Sequence, residues 1–375
     1  MLELGGELGW LCGKILADLG ADVIKIEPPG GDEGRGGTAF VAHNVGKRSI
    51  VLDLDSEVDR ARLRQLALRA DFLVETFTPG HLDRLGLGWA DLHAANPRLV
   101  MTSITAYGQH SPHAQAPASD LEIMAAGGAL SLAGDPDRPP VRVTLPQAAA
   151  WTGAYAAMGT LVAHHHRQAT GRGQQVDVSA QAAMLPILVQ APMFWSLLGQ
   201  VPVRSGPNLV GRNLAGARLR NIWPCRDGYV SFALYSGHAG RQSNQALADW
   251  IAARGMLPAE LEGFDWDAFD PVTAPREDVE RIQAAVEPFL ASLAKDEFLA
   301  GCRERRLLGY PVATAADIAA DAQLADRQVW QLVGGVSHPS GWARFDSRVG
   351  RIARPAPALG EHQAEVLGEL GAVLA

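Results

Sequence analysis

The stretch Ala21-Asp22-Val23-Ile24-Lys25-Ile26-Glu27, closed by Pro28-Pro29-Gly30-Gly31, decides the fold. Its β-branched run reads as a buried strand, and the Pro-Gly punctuation ends it in a turn. Upstream lie a short apolar piece from Leu2, a Gly-rich turn (Gly5, Gly6, Gly9) and a helical pattern running through Leu19. Strand, helix and strand in that order make a βαβ opening, which places the two strands parallel with a right-handed crossover. Downstream the alternation continues with a strand from Ser49 to Leu54, a helix of mixed charge from Ser56 to Arg69, and strands from Phe72 to Glu75 and Leu99 to Ile104. An α/β fold follows, with a Rossmann-like large domain built on a parallel sheet. The run Leu145 to Gln168 carries Ala148, Thr152, Ala156, Gly159 and Ala163 at helical spacing, which predicts a helix packed closely against its neighbours.

The character of the chain changes after about Gly216. Asn221 to Cys225 leads into Gly228-Tyr229-Val230-Ser231-Phe232-Ala233-Leu234, a strand signal, and helices with polar spacers follow up to about Leu308. These residues predict a second, smaller domain. The tail holds a Pro-rich extended segment, Arg354 to His362, and then a helix to Leu374.

With 375 residues, 47% hydrophobic and 20% charged, the chain has the balance and the length for a large core. A formal net charge of -8 and the lack of a Lys/Arg block with interleaved aromatics argue against a nucleic-acid surface. Apolar stretches such as Ala182 to Val189 are too short to span a bilayer, and no basic region followed by a hydrophobic segment marks the N-terminus, so no membrane and a cytoplasmic location are expected. Cys12, Cys225 and Cys302 are far apart and lack CxxC spacing, which suggests neither a disulfide framework nor a zinc site.

Several patterns carry possible chemistry. Leu4, Gly6 and Gly9 fall on the three glycine slots of a dinucleotide fingerprint, with Glu27 ending the second strand, but the first glycine is absent. His164, His165 and His166 are adjacent on a helix and project about 100° apart, so they do not form an i, i+4 chelate; no metal is expected. Thr170 to Gln174 reads as a helix stop with glycine at the C-cap. Basic residues near strand ends, Lys25, Lys47 with Arg48, and Arg84, suit phosphate if they face the carboxyl edge of the sheet, and serve as solvated surface charge otherwise.

The run Ala17 to Asp32, with Gly46-Lys47-Arg48-Ser49, Asp71 to Phe77 and Asn96-Pro97-Arg98-Leu99, resembles the class III CoA-transferases, a family that includes formyl-CoA transferase, carnitine CoA-transferase and α-methylacyl-CoA racemase. Asp53, Tyr107-Gly108-Gln109, Thr170 to Ser179 and Gly360-Glu361-His362 extend the likeness over nearly the whole chain. The resemblance implies a large CoA-binding domain over residues 1–215, a small domain over 216–318, and a return linker and C-terminal part of the large domain over 319–375. It also implies an interlocked dimer, either a homodimer or a heteromer with a catalytic paralogue. No cofactor is implied; a coenzyme A thioester is the substrate, and a carboxylic acid accepts the CoA. In the transferases an aspartate attacks the acyl-CoA carbonyl, giving an anhydride and then an enzyme-bound CoA thioester.

Carried over residue by residue, the nucleophile's place falls on Ala149, and the racemase histidine's place on Ser119. Glu7 stands where the transferases have an active-site glutamine, at a helix N-terminus whose dipole is expected to favour the ionised carboxylate. Glu7 is therefore the candidate replacement nucleophile or general base, beside the reading of it as a plain first-turn helix residue. Asp120 matches a family acid that helps order the site. The likeness implies CoA contacts at Lys25, Thr76, Phe77, Arg84 and Leu85, while Pro28, Asp55, Thr76 and Pro117 replace more polar or basic residues of formyl-CoA transferase.

Three functions are compatible with these residues: a CoA-transferase moving CoA between carboxylic acids, an acyl-CoA hydratase, lyase or isomerase on the same scaffold, and a non-catalytic subunit of a heteromeric CoA-transferase. Trp223, Tyr235 and the run Pro192 to Leu198 are expected either to line an acyl pocket or to serve as core.

Overall fold

The computed structural model describes residues 1–209, 212–346 and 348–371. Six parallel strands form the main sheet: β1 (Leu2–Leu4), β2 (Ile24–Glu27), β3 (Arg48–Val51), β4 (Phe72–Glu75), β5 (Val100–Thr105) and β6 (Gln175–Ser179). Their order is β3-β2-β1-β4-β5-β6, the doubly wound arrangement in which strand order reverses between β1 and β4. Helices α1 (Glu7–Asp18), α2 (Thr38–Asn44), α3 (Glu57–Ala67), α4 (His81–Arg84) and α5 (Trp89–Ala95) connect the first five strands, and α6 (Asp120–Ala126) and α7 (Ala148–Thr170) precede β6.

Alternate strand residues serve two cores. Leu73 and Met101 join Leu63, Leu66 and the C-terminal helix residues Val366 and Leu370 on one face, while Phe72, Val74 and Val100 pack with Cys12, Leu16 and Ala156 on the other. Strand β3 is shorter than expected because Asp53 Oδ1 accepts the Asp55 N–H at 3.0 Å and turns the chain. Its outer edge is covered by the C-terminal segment: Gly46 N–H donates to Arg354 O at 2.8 Å, His362 N–H to Ser49 O at 2.9 Å, and the Gln363 amide pairs with both backbone groups of Val51. The helix that follows spans Gln363–Gly371; the expected end at Leu374 lies outside the described residues.

Helix α7 buries Ala148, Ala149, Thr152, Gly153, Ala156, Ala157, Thr160 and Ala163. This small-residue face lets α1 approach closely: a Cβ on Gly153 would stand 2.8 Å from Leu11 Cβ and 3.0 Å from Cys12 N. Beyond β6, α8 (Ala180–Ala183) and α9 (Gln190–Leu198) follow, and α9 buries none of its residues. The run Pro192 to Leu198 is thus exposed and not core. Among the described residues no single helix is long and apolar enough to cross a membrane; the pair Ala180–Leu188 and Gln190–Leu198, bent by 70°, passes on length and composition alone.

Met1–Leu130, Arg142–Gln200 and Asp321–Ala375 form one compact unit, and Ser131–Val141 with Val201–Ala320 form the other. The second has its own core of Trp223, Phe232, Trp250, Phe289 and Phe298 beneath an antiparallel sheet of Ile222–Cys225, Gly228–Phe232 and Gly309–Pro311. Trp223 is a fully buried core residue here, its indole N–H donating to Phe232 O at 2.6 Å, and Tyr235 is half-buried.

Candidate active site

A cavity of about 700 Å³ opens at the carboxyl ends of β1, β2, β3 and β4, where the reversal of strand order leaves a crevice between outgoing loops. The turn after β1 forms its floor. Gly5 takes φ +97°, a conformation glycine tolerates, and a Cβ there would overlap Thr76 Oγ1. That close approach lets the Gly6 N–H donate to Thr76 Oγ1 at 2.8 Å, and α1 then starts at Glu7.

The structure brings Glu7, Asp120 and Ala149 together as lining residues of this one crevice. Ala149 is 9% exposed and presents only a methyl group. The Asp120 carboxylate is engaged: Oδ1 accepts the Ala148 N–H at 2.7 Å and faces the Ala149 N–H at 3.4 Å. Asp120 itself begins α6 behind a capping box made by Ser119 and Glu122. Glu7 is exposed and makes no side-chain hydrogen bond among the described residues. Burial, and after it the carboxylates of Asp120 and Asp32, push the Glu7 carboxyl above its ordinary value, in the direction opposite to the pull of the α1 dipole.

Of the five residues expected to touch CoA, Thr76 and Phe77 line the crevice, the Phe77 ring stacking on His81 with centroids 4.7 Å apart. Lys25 does not. It lies within β2, fully buried, and its ammonium is held by Asp32 at 2.8 Å, Gly5 O at 3.2 Å and Glu3 at 3.5 Å. Lys47 precedes β3 and is equally buried, held by both oxygens of Glu3 at 2.9 and 2.8 Å. Arg48 begins β3 and pairs with Asp22, Glu365 and Glu369. Lys47 and Arg48 therefore stand at the amino end of β3, away from the carboxyl edge, whereas the Lys25 ammonium reaches Gly5 and Asp32, two residues of the crevice lining. Arg84 ends α4, exposed and without an ion pair among the described residues, and Leu85 packs against the apolar core; neither lines the crevice.

The lining is acidic to a degree that sequence reasoning missed. Glu7, Glu27, Asp32, Glu33, Asp53, Asp55 and Asp120 all face the crevice, with His81 as its titratable base and no lysine or arginine among the described lining residues. Some of this charge is spent. Glu27 is gripped by Arg35 at 2.6 and 2.5 Å and by the Ser49 hydroxyl at 2.6 Å, which hold it below the ordinary carboxylate value against the upward push of burial. Asp32 pairs with Lys25 and accepts the Trp10 indole N–H at 2.9 Å. Glu7, Glu33, Asp53 and Asp55 have no ion pair among the described residues. The signal was available in Asp53 and Asp55, two acids straight after a strand.

A smaller cavity of about 180 Å³ is lined by Glu75, Ser103, Gln109 and His81, the last also facing the crevice. Glu75 is 4% exposed; burial pushes its carboxyl up to about 7, against hydrogen bonds from Ser103 and the Phe77 N–H. The histidine run serves helix α7: His164 bonds Arg167 and Gln168 and packs edge-on against Phe72, and His166 meets Thr170. Among the described residues no group of three His, Cys, Asp or Glu side chains stands together as a metal site.

Residues 7–363 match the model of CoA-transferase family III. The chain is 33% identical to the succinyl-CoA:(R)-benzylsuccinate CoA-transferase subunit BbsE of Thauera aromatica, over 99% of this chain and 93% of that protein. It is 32% identical to the succinyl-CoA–D-citramalate CoA-transferase of Chloroflexus aurantiacus, over 99% and 92%. Among solved structures, a CAIB/BAIF family protein from Brucella suis superposes with a TM-score of 0.87 at 30% identity, covering 98% of this chain and 97% of that one.

Proposed function

The chain belongs to CoA-transferase family III, and from that membership we propose that it works as one subunit of an enzyme moving CoA from an acyl-CoA to a carboxylic acid, the covalent step being carried by a partner chain that keeps the aspartate. One observation carries the reading: at the nucleophile's place the crevice wall is the methyl of Ala149, and the neighbouring acid, Asp120, is spent on the start of α7. A methyl group cannot attack a thioester carbonyl. The relative that is named as a subunit supports the same reading, as does the exposed apolar face of α9, where Trp195, Leu197 and Leu198 are 62%, 77% and 60% exposed and suit burial against another chain. A cytoplasmic site of action belongs to the proposal, supported by three free cysteines.

Co-expression with an aspartate-bearing homologue tests it, with succinyl-CoA as donor and a panel of carboxylic acids as acceptors. A mixed oligomer that transfers CoA, while this chain alone does not, is the expected result; full transfer by this chain alone would end the proposal.

A second reading rests on Glu7, which lines the same crevice with an unbonded carboxyl and a raised proton affinity. There it acts as nucleophile or general base in place of the missing aspartate. Mass spectrometry after incubation with succinyl-CoA decides: an adduct on Glu7, lost in Glu7→Gln, favours this reading, and its absence favours the first.

A further inference from the structure

We propose that Glu75 is a positioning residue for the crevice: buried behind the lining, it fixes the loop that carries Thr76 and Phe77 and so sets how firmly CoA is held. This rests on the subunit reading, with the crevice as the place where the chain takes acyl-CoA, and deepens it. Glu75 is the last residue of β4 and is 4% exposed. One of its carboxyl oxygens accepts the Phe77 N–H at 2.7 Å, which ties the second residue of the outgoing loop back to the strand it has just left. The Ser103 hydroxyl on β5 bonds the same carboxyl, and the Ser103 oxygen accepts the Gln175 side-chain amide from β6 at 3.2 Å. The anchor is thus seated across three neighbouring strands.

Two other bonds pin this loop, one on each side. Thr76 Oγ1 accepts the Gly6 N–H at 2.8 Å, and Pro79 O accepts the Gln115 side-chain amide at 3.1 Å. Between them Glu75 holds the Phe77 backbone. The Phe77 ring lines the crevice and stacks on His81, and His81 also lines the cavity of about 180 Å³ that Glu75 faces. Removing the acceptor at residue 75 leaves the Phe77 N–H and the Ser103 hydroxyl short of a partner in a buried place, and the loop must shift to recover one. Charge adds a second effect. Burial keeps the Glu75 proton on up to about pH 7, and the charged and titratable groups that face it are Asp83 and His81 from α4, Asp177 from β6, and His110. CoA brings phosphates, so a carboxylate formed at residue 75 repels it, and by linkage the protonated form binds CoA more tightly. That advantage is complete while Glu75 is protonated and is lost as pH rises through about 7.

Calorimetric titration of CoA into the native chain, Glu75→Gln and Glu75→Leu at pH 6 and pH 8 tests the proposal. At pH 6, Glu75→Gln keeps an acceptor for the Phe77 N–H and is expected to bind CoA within about twofold of the native chain, while Glu75→Leu binds it about tenfold more weakly. From pH 6 to pH 8 the native chain is expected to lose about threefold more affinity than Glu75→Gln, in which Asp83, Asp177, His81 and His110 still titrate. Where Glu75→Leu does not fold, this comparison of pH profiles decides by itself. Parallel profiles in the native chain and Glu75→Gln, a folded Glu75→Leu that binds CoA as tightly as the native chain, or no CoA bound by the native chain overturns the proposal. Transfer by the mixed oligomer, read on the same variants, separates the two ideas. CoA binding that follows Glu75 in a pair that transfers nothing sinks the subunit reading alone, and a transferring pair whose CoA binding ignores Glu75 sinks this proposal alone.

Discussion

The Asp120 carboxylate accepts the backbone N–H of Ala148 at 2.7 Å, joining the first residue of α6 to the first residue of α7. Helix α7 has 23 residues and its own N-cap, Gln147, bonds none of the free N–H groups with its side chain. Asp120 supplies that cap from another helix, and its charge complements the positive end of the α7 dipole. Asp120→Ala is therefore expected to lose about 1 kcal/mol of stability in chemical denaturation, while Asp120→Asn, which keeps the acceptor oxygen, loses only part of it. Equal losses in the two variants would show that the cap contributes through charge alone.

The strands most legible in the sequence, β2 and β4, are buried at every position because helices cover both faces of the sheet there, although Lys25, Glu27 and Glu75 are charged. Strand β6 gives a weaker signal: Gln175-Val176-Asp177-Val178-Ser179 is only half-buried at the sheet edge, with polar residues at three of its positions. Ala149 and Asp120 were placed by resemblance to known relatives, which carries positions but not contacts. Lys25 shows the limit. A lysine near the end of a strand looks like a phosphate ligand until its partners, Glu3 and Asp32, are known, and those pairings come from setting β1 beside β2 and folding the loop after β2 back against it. Likewise the crevice becomes acidic only when four separate loops converge.

Ala149→Asp restores the nucleophile's chemistry at the position where the family keeps it. It also sets a third carboxylate beside Asp120 and Glu7 in a partly buried wall. The new carboxyl is expected to titrate high, so its stability cost, about 1 to 3 kcal/mol, is absent below the unfolded-state value and grows as pH rises through the folded one. Thermal unfolding across the acid range checks this. Transfer from succinyl-CoA by the variant alone is the expected gain, because a carboxylate returns to the nucleophile's place; the absence of any acyl adduct on the new aspartate would contradict that.

Glu75 sets a second pH dependence. Its folded value of about 7 lies above the ordinary 4.5, so the native state binds the extra proton between those limits. The stabilisation is complete below about pH 4.5 and is lost as pH rises through about 7, a change of roughly 3 kcal/mol at most. Glu75→Gln mimics the protonated form, so its melting temperature should lack this decline and exceed that of the native chain at pH 8. A parallel decline in both would assign the effect to other groups.

Gly13 marks where the tight contact between α1 and the sheet is least forgiving. A Cβ there would overlap the Glu3 carboxylate and come within 3.0 Å of Lys47 Nζ. Glu3 and Lys47 are a buried pair, 1% and 0% exposed, and the Lys47 ammonium also bonds Trp10 O at 2.9 Å and Asn44 Oδ1 at 2.8 Å. Burial already pushes the Lys47 amine down to about 8, against the pull of Glu3. Displacing Glu3 would leave that ammonium short of its counter-ion in a dry interior, which costs about 3 to 5 kcal/mol when one partner of such a pair is removed outright. Gly13→Ala shifts the carboxylate without removing it, so a loss of about 2 kcal/mol is expected in denaturation, larger than the 1 to 3 kcal/mol floor of simple overpacking would give at its low end. Gly153→Ala, whose Cβ would press on Leu11 and the Cys12 backbone but on no charge, serves as the control. If Gly13→Ala costs no more than Gly153→Ala, the Glu3–Lys47 pair yields easily and is not what fixes the α1 approach.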